Sequence, residues 1–354
     1  MPKKIAIIGA GLSGLAAAYR LAEIGSDVTV FEKSKGISGR AASRSRNGCR
    51  YDHGANYLKV SSDEVARLLF QSLPTDGLSR IVGDVDTFDG SGLVRAGDPK
   101  QNAAAKWSYR DGISTIGKHI VESAGLKVAG DTAITGLEHR QGKWILKTGS
   151  GIAGEGFDAV LLTPPAPQTI ALLESCAIDP ALRETLVSEL GRARYHSQFT
   201  VILDFPGFLA LPGDAFALIN SDRRHDIAWM SHENRKPGHV PAGESLFVVQ
   251  MSPDWTASHY ESPREEVIAA ALDKAAPFLG GDLPPVNWSD MQRWRYAHPF
   301  TSADPEKMRP AAAFGLYFAG DAFVGKGRIS GAIETGFAAA REIVGDQSSG
   351  QATR

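Results

Sequence analysis

Ile5-Ala6-Ile7-Ile8, a short apolar run, leads directly into Gly9-Ala10-Gly11-Leu12-Ser13-Gly14. An apolar run of this length reads as a strand buried on both faces, and the glycine-rich turn after it reads as the entry to a helix. From Gly11 to Ile24 alanines and leucines recur at helical spacing, Gly25 stops the helix, and Asp27 to Glu32 alternates as a second strand. The three pieces form a βαβ unit and predict a parallel sheet. Within the turn, Gly9 permits the tight bend, Gly11 lets a pyrophosphate approach the backbone, and Gly14 lets helix and strand pack closely. Glu32, eighteen residues after Gly14, is placed to accept from ribose hydroxyls. Its charge would repel a 2′-phosphate, so the expected dinucleotide is FAD or NAD rather than NADP.

Composition narrows the field around that motif. The chain has 354 residues, enough for two lobes, and its 38 basic against 40 acidic residues give a net charge of −2. No field of one sign favours nucleic acid or an anionic membrane. No apolar run reaches the length of a bilayer span, and the apolar start after Lys3 and Lys4 is broken by glycines where a signal peptide would continue. Two cysteines, Cys49 and Cys176, offer no CxxC spacing, and the nine histidines show no ligand spacing, so no metal site is expected. Cytoplasmic residence is the default expectation.

Further along, Asp63 to Ser72 and Gly112 to Ala124 read as helices, Val85 to Val94 as a hairpin, and Ala133 to His139, Trp144 to Thr148 and Asp158 to Thr163 as strands. Pro164-Pro165-Ala166-Pro167 reads as a stiff extended crossing between lobes. The segments Gln198 to Asp204, Ala215 to Asn220, Ile227 to Ser231 and Ser245 to Met251 have the rhythm of an antiparallel sheet, and Pro263 to Ala275 follows as a helix. Leu316 to Ala319 is a last buried strand, and Gly331 to Val344 a last helix. The expected fold class is α/β: a Rossmann-type cofactor lobe on a parallel sheet, interleaved with an α+β substrate lobe on an antiparallel sheet. The expected division gives 1–60, 106–164 and 291–346 to the cofactor lobe, 61–105 and 165–290 to the substrate lobe, and 347–354 to a flexible tail.

After Glu32 come Ser38-Gly39-Arg40 and Asp52-His53-Gly54-Ala55-Asn56-Tyr57, and near the other end Tyr317-Phe318-Ala319-Gly320-Asp321 and Gly327-Arg328-Ile329-Ser330-Gly331-Ala332. At these residues the chain resembles the glutathione-reductase-type flavoproteins, within them the amine oxidase and renalase branch. Pro165-Ala166-Pro167-Gln168, the Trp229 to Gly238 segment with Lys236-Pro237-Gly238, and Arg293-Trp294-Arg295-Tyr296-Ala297 are similar to renalases in particular. Ser38 departs from the family, standing where the first glycine of a Gly-Gly-Arg segment is usual. The resemblance implies non-covalent FAD, held by Gly9, Ala10, Gly11, Leu12, Ser13 and Gly14, by Glu32, Lys33, Gly39 and Arg40, by Gly54, Ala55, Asn56 and Tyr57, and by Ile134. It adds Gly320, Asp321, Arg328, Ile329 and Ser330 from the C-terminal part. A helix starting near Ser330 would aim its amides and positive dipole end at the flavin edge where charge gathers on reduction.

Arg328, Tyr57, Trp229 and His232 are the candidates for substrate contact, with His53 and His298 also near motifs. No GxSxG elbow appears, which removes hydrolase readings. The resemblance implies a renalase-like oxidase that takes a hydride at flavin N5 from a 2- or 6-dihydro isomer of NAD(P) and reduces O2 to H2O2. Such a substrate becomes aromatic on losing hydride and demands no general base. The alternatives are an amine oxidase, whose relatives usually carry an aromatic cage residue where this chain has Arg328, and a desaturase-like or non-enzymatic flavoprotein.

Overall fold

The structure, a computed structural model, describes residues 2–345; the expected tail at 347–354 lies outside the described residues. Lys4–Ile8 is the central strand of a five-stranded sheet ordered Leu316–Phe318, Ala159–Leu162, Lys4–Ile8, Asp27–Phe31, Lys127–Ala129, every neighbouring pair parallel. Alternation along the strand sends Ile5 and Ile7 to one core and Ala6 and Ile8 to another. The first core is closed by helices Leu12–Glu23, Thr115–Ser123 and Ile329–Val344. The second is closed by the three-stranded sheet Gly136–Arg140, Lys143–Thr148, Gly151–Phe157 and by two helices, Ala166–Glu174 and Pro180–Leu190.

A seven-stranded sheet forms the second lobe, ordered Trp288–Pro299, Tyr195–Pro206, Glu244–Met251, Ile227–His232, Ala217–Asn220, Val85–Phe88, Val94–Arg95. All its pairs are antiparallel except Ala217–Asn220 with Val85–Phe88. Val201, Leu203, Met230 and Val249 pack one face of this sheet onto helix Arg264–Ala275, leaving the other face toward the cofactor lobe. Among the described residues no helix is long and apolar enough to cross a membrane.

Three boundaries differ from the expected division. Val65, Leu68, Leu69 and Leu73 pack with Ile5 and Leu15 in the first core, so 63–73 sits with the cofactor lobe. The prolines after Thr163 start a helix rather than a linker: Pro165 is its extended N-cap and Pro167 stands in the first turn, where no amide is needed. Leu172, Leu173, Leu186 and Leu190 then pack with Ile8 and Leu162 under the parallel sheet, so 166–190 sits with the cofactor lobe. In the other direction, Trp288–Pro299 pairs along Tyr195–Pro206 and extends the substrate sheet, carrying that lobe through residue 299.

Candidate functional site

The glycine turn is held by three separate constraints. Gly9 has φ +103°, open to glycine and strained for other residues. A Cβ on Gly14 would run into the Gly9 carbonyl oxygen, so strand and helix approach this closely only through glycine. A Cβ on Gly11 would meet no protein atom within 4 Å, which leaves an open cradle over the helix start. The first intrahelical bond is Leu15 N to Gly11 O at 2.9 Å, so the amides before Leu15 point into that cradle without helical partners. Donors, space and dipole suit a pyrophosphate. Glu32 accepts from Ala10 N at 2.8 Å with one carboxylate oxygen and from Ser34 N at 2.9 Å with the other. It thus braces the turn and keeps lone pairs for a ribose. Thr132 N donates to Glu32 O at 2.8 Å, bringing the Ile134 loop alongside, while Lys33 reaches Gln168 Oε1 at 3.3 Å.

Ser38 takes the left-handed conformation its glycine counterpart would, with φ +79°. Its amide donates to Ala10 O at 2.8 Å and its hydroxyl to Ser114 O at 2.8 Å, and these bonds hold the strained backbone in place. Gly39 then passes close over Gly11, a built Cβ lying 3.1 Å from the Gly11 Cα. Arg40 Nη1 pairs with Asp321 Oδ2 at 2.6 Å and donates to the carbonyls of Tyr296 at 3.1 Å and Ala297 at 3.3 Å. The Tyr195 hydroxyl donates to the other Asp321 oxygen at 3.0 Å. Gly54 and Ala55 follow the Arg40 carbonyl, which accepts from Ala55 N at 2.9 Å and leaves no room for a side chain on Gly54.

Helix Ile329–Val344 lies against Leu12–Glu23 where a side chain on Gly336 would strike the Ser13 carbonyl. Thr335 Oγ1 accepts from Gly320 N at 3.1 Å and meets Ser13 Oγ at 3.1 Å. The helix start at Arg328, Ile329 and Ser330 is thereby tied to the glycine turn. Arg328 is the N-cap in extended backbone, its side chain exposed and its charge acting on Tyr57 and Lys59. Burial raises the Tyr57 hydroxyl pKa, against the pull of Arg328.

The sheet face toward this lobe is a wall set by register. Gln292 pairs with Thr200, Thr200 with Gln250, and Gln250 with Trp229, so their side chains share one face. Trp229 tilts against Tyr57 with centroids 5.8 Å apart. Ser231 donates to Asn56 Oδ1 at 3.0 Å, and Gln250 Nε2 to Gly54 O at 3.0 Å. His53 stacks on Trp294 at 5.4 Å, and burial holds its pKa down at about 4. His298, near Arg40 and Asp321, is held at about 4 by burial and then by His196 and Arg40.

His232 does not join the wall. It is one residue past Ser231, so it points to the opposite face, where it lies flat on Phe247 at 4.7 Å with burial holding its pKa at about 4. Gln250, Gln292 and Thr200 went unnoticed in the sequence because only register brings them beside Trp229.

Lys236, in the Lys-Pro-Gly segment, is fully buried behind the wall, its Nζ 5.9 Å from the ring centroid of Phe216, which packs on Tyr57 and Trp229. Its Nζ lies 2.8 Å from Asp52 Oδ2 and 2.9 Å from Glu233 Oε1. His239 Nδ1 meets Glu233 Oε2 at 2.9 Å. Asp52, Glu233 and His239 are close enough to share a cation, and the ammonium of Lys236 occupies that role. The network clamps hairpin Ser43–Arg46/Cys49–Asp52 to the loop after Glu233.

Two family models match consecutive stretches of the chain, the second spanning parts of both lobes. The model of NAD(P)-binding Rossmann-like domains matches residues 7–73, and that of flavin-containing amine oxidoreductases matches residues 77–344. Protoporphyrinogen oxidase 2, chloroplastic/mitochondrial, of Arabidopsis thaliana is 46% identical over 67 residues, 19% of this chain and 13% of that protein. The chain thus matches a small part of that relative's length. A protoporphyrinogen oxidase-like protein from Exiguobacterium sp. 255-15 superposes with TM-score 0.75 at 17% identity, over 98% of this chain and 100% of that one. Reduced UDP-galactopyranose mutase superposes with TM-score 0.77 at 13% identity, over 98% and 94%. At these identities the likeness is one of fold.

Proposed function

The chain belongs to the flavin-containing amine oxidoreductases, and we propose that within this family it is a renalase-like oxidase of a dihydronicotinamide dinucleotide. It is an FAD-dependent oxidoreductase. Bound FAD supplies the redox chemistry, accepting a hydride at N5 and passing the electrons to O2 to give H2O2. The chain's part is binding and orientation. The amides ahead of Leu15 take the pyrophosphate, Glu32 the ribose, and the start of helix Ile329–Val344 presents positive potential at the isoalloxazine.

The observation that carries the reading is Arg328: an exposed permanent cation at that helix start, acting on Tyr57 and Lys59. It disfavours a substrate ammonium and attracts the phosphates of a dinucleotide. The wall is consistent with this. Gln292, Thr200, Gln250, Trp229 and Asn56 supply amides, a hydroxyl and an aromatic ring without a carboxylate base. A donor that becomes aromatic needs only to be held against the ring.

The test is anaerobic flavin bleaching on mixing with 2- and 6-dihydroNAD(P), ordinary NADH and simple amines. The dihydro isomers should bleach the flavin fastest, and Arg328→Met should keep FAD while slowing that step roughly 10- to 1000-fold, about 1.4 to 4 kcal/mol. Rapid bleaching by simple amines, or an unchanged rate in Arg328→Met, overturns the proposal.

A further inference from the structure

Leu58 and Trp107 exchange both backbone hydrogen bonds, each 2.9 Å, in an isolated antiparallel bridge. In antiparallel pairing the residue after one partner faces the residue before the other, so Lys59 stands opposite Lys106 on the same side of the ribbon. Like charges placed directly opposite repel. Continuing the antiparallel pairing of Arg80 with Trp107, Ile81 stands opposite Lys106 and donates its amide to the Lys106 carbonyl at 2.9 Å, so the two side chains share a face, and Ile81 packs with Trp229 and Tyr57. The two lysines therefore sit on the side of the ribbon that faces the aromatic wall. Lys59 is also tied to the cofactor helix, since the Ser330 hydroxyl donates to its carbonyl. Its ammonium lies 6.0 Å from the Tyr57 ring centroid.

Neither ammonium has an ion-pair partner within 4.0 Å among the described residues. Lys59 Nζ donates to Gln101 O at 2.8 Å. Lys106 is 4% exposed, and its one side-chain bond is to Asn102 Oδ1 at 3.2 Å, an oxygen already accepting from Val85 N at 2.9 Å. Of the nearby acids, Asp98 spends one oxygen capping helix Pro99–Ala103 and Asp84 is exposed. Burial pushes both lysine pKa values down, and Arg328 then lowers Lys59 while Lys59 lowers Lys106. Lys106, a buried cation in contact only with a neutral acceptor, gains a partial offset from Asp84 but is opposed by Lys59 and Arg80, so it is costly to the fold and an arriving anion relieves that cost.

We propose that Lys59 and Lys106 form an oxyanion seat beside the Tyr57–Trp229 wall, taking the pyrophosphate of the dinucleotide substrate. The identity of the anion rests on the function proposed above; the seat itself does not. Lys59, half-exposed, makes the direct contact, and Lys106 supplies charge and a donor from below, with Arg328 at the rim.

The experiment titrates the FAD-loaded protein with inorganic pyrophosphate, and separately with succinate, at low salt by calorimetry. Wild type should bind pyrophosphate, Lys59→Met and Lys106→Met should each weaken binding about tenfold or more, and Lys106→Arg should stay close to wild type. Lys106→Met should also melt no lower than wild type, since it removes an unpaired buried charge; if it folds poorly, Lys59→Met decides alone. Succinate binding that depends on the same lysines, without pyrophosphate binding, supports the seat and sinks the dinucleotide reading. Absence of binding by either anion, or binding that Lys59→Met leaves unchanged, overturns the seat.

Discussion

Arg40 and Asp321 stand 2.6 Å apart although 281 positions separate them in the chain (321 − 40), and their contact joins the loop after the second strand to the strand end at Gly320. Asp321 is 6% exposed, and among the described residues its carboxylate receives only Arg40 and the Tyr195 hydroxyl. Arg40→Met should therefore destabilise the FAD-free protein by about 1 to 3 kcal/mol in urea unfolding, because it strands a nearly buried carboxylate. An arginine serving only bound pyrophosphate would instead leave the FAD-free protein unchanged.

Gly11 and Gly14 should fail in different ways. Gly11→Val adds bulk where the structure has open space, so the FAD-free protein should melt near wild type yet retain no flavin. Gly14→Ala places a methyl against the Gly9 carbonyl and should lower the melting temperature with or without FAD. Differential scanning calorimetry of both variants, paired with flavin content, checks the contrast.

Acid precipitation should release all of the flavin. Cys49 lies in the core beside Tyr51 and Trp288, its Sγ 3.1 Å from Glu244 Oε2, and Cys176 is buried among Leu172, Leu173 and Leu186. Burial pushes both thiols above their ordinary range, Cys176 to about 11, so neither forms a reactive thiolate at neutral pH. Yellow colour retained in the washed pellet would contradict this.

The Asp52–Lys236 pair makes a prediction about acid. Burial alone would raise the Asp52 pKa, but Lys236 and His239 outweigh it and hold it below the ordinary value of 3.8. A depressed carboxyl stabilises the fold above its unfolded pKa and loses that contribution as pH falls through the folded value. Asp52→Asn should cost about 3 to 5 kcal/mol at neutral pH, as expected for a buried pair broken on one side. The penalty should shrink below about pH 4, where the wild type loses the same interaction. Urea unfolding of both proteins from neutral to acid pH measures it.

What the sequence disclosed depended on how local each signal was. The βαβ unit, the glycine turn and Glu32 lie within twenty-eight residues, 5 to 32, and each part is needed by its immediate neighbours. Trp288–Pro299 was hidden because it is an edge strand lined by half-buried residues, so no clean alternation marks it. The proline run after Thr163 misled because proline serves a helix start as readily as a linker. His232 shares a strand with Trp229, and strand parity sends it to the opposite face. The wall and the lysine pair are products of register, joining positions far apart in the chain.

The contact between Gly336 and Ser13 bears on the order in which the protein becomes competent. The helix that closes the cradle, Ile329–Val344, is synthesised more than 300 residues after the glycine turn on which it packs. A ribosome-bound chain that has emitted the whole glycine turn still lacks the surface that completes it. FAD loading therefore waits for helix Ile329–Val344 to emerge, and until then the N-terminal unit stands half-covered.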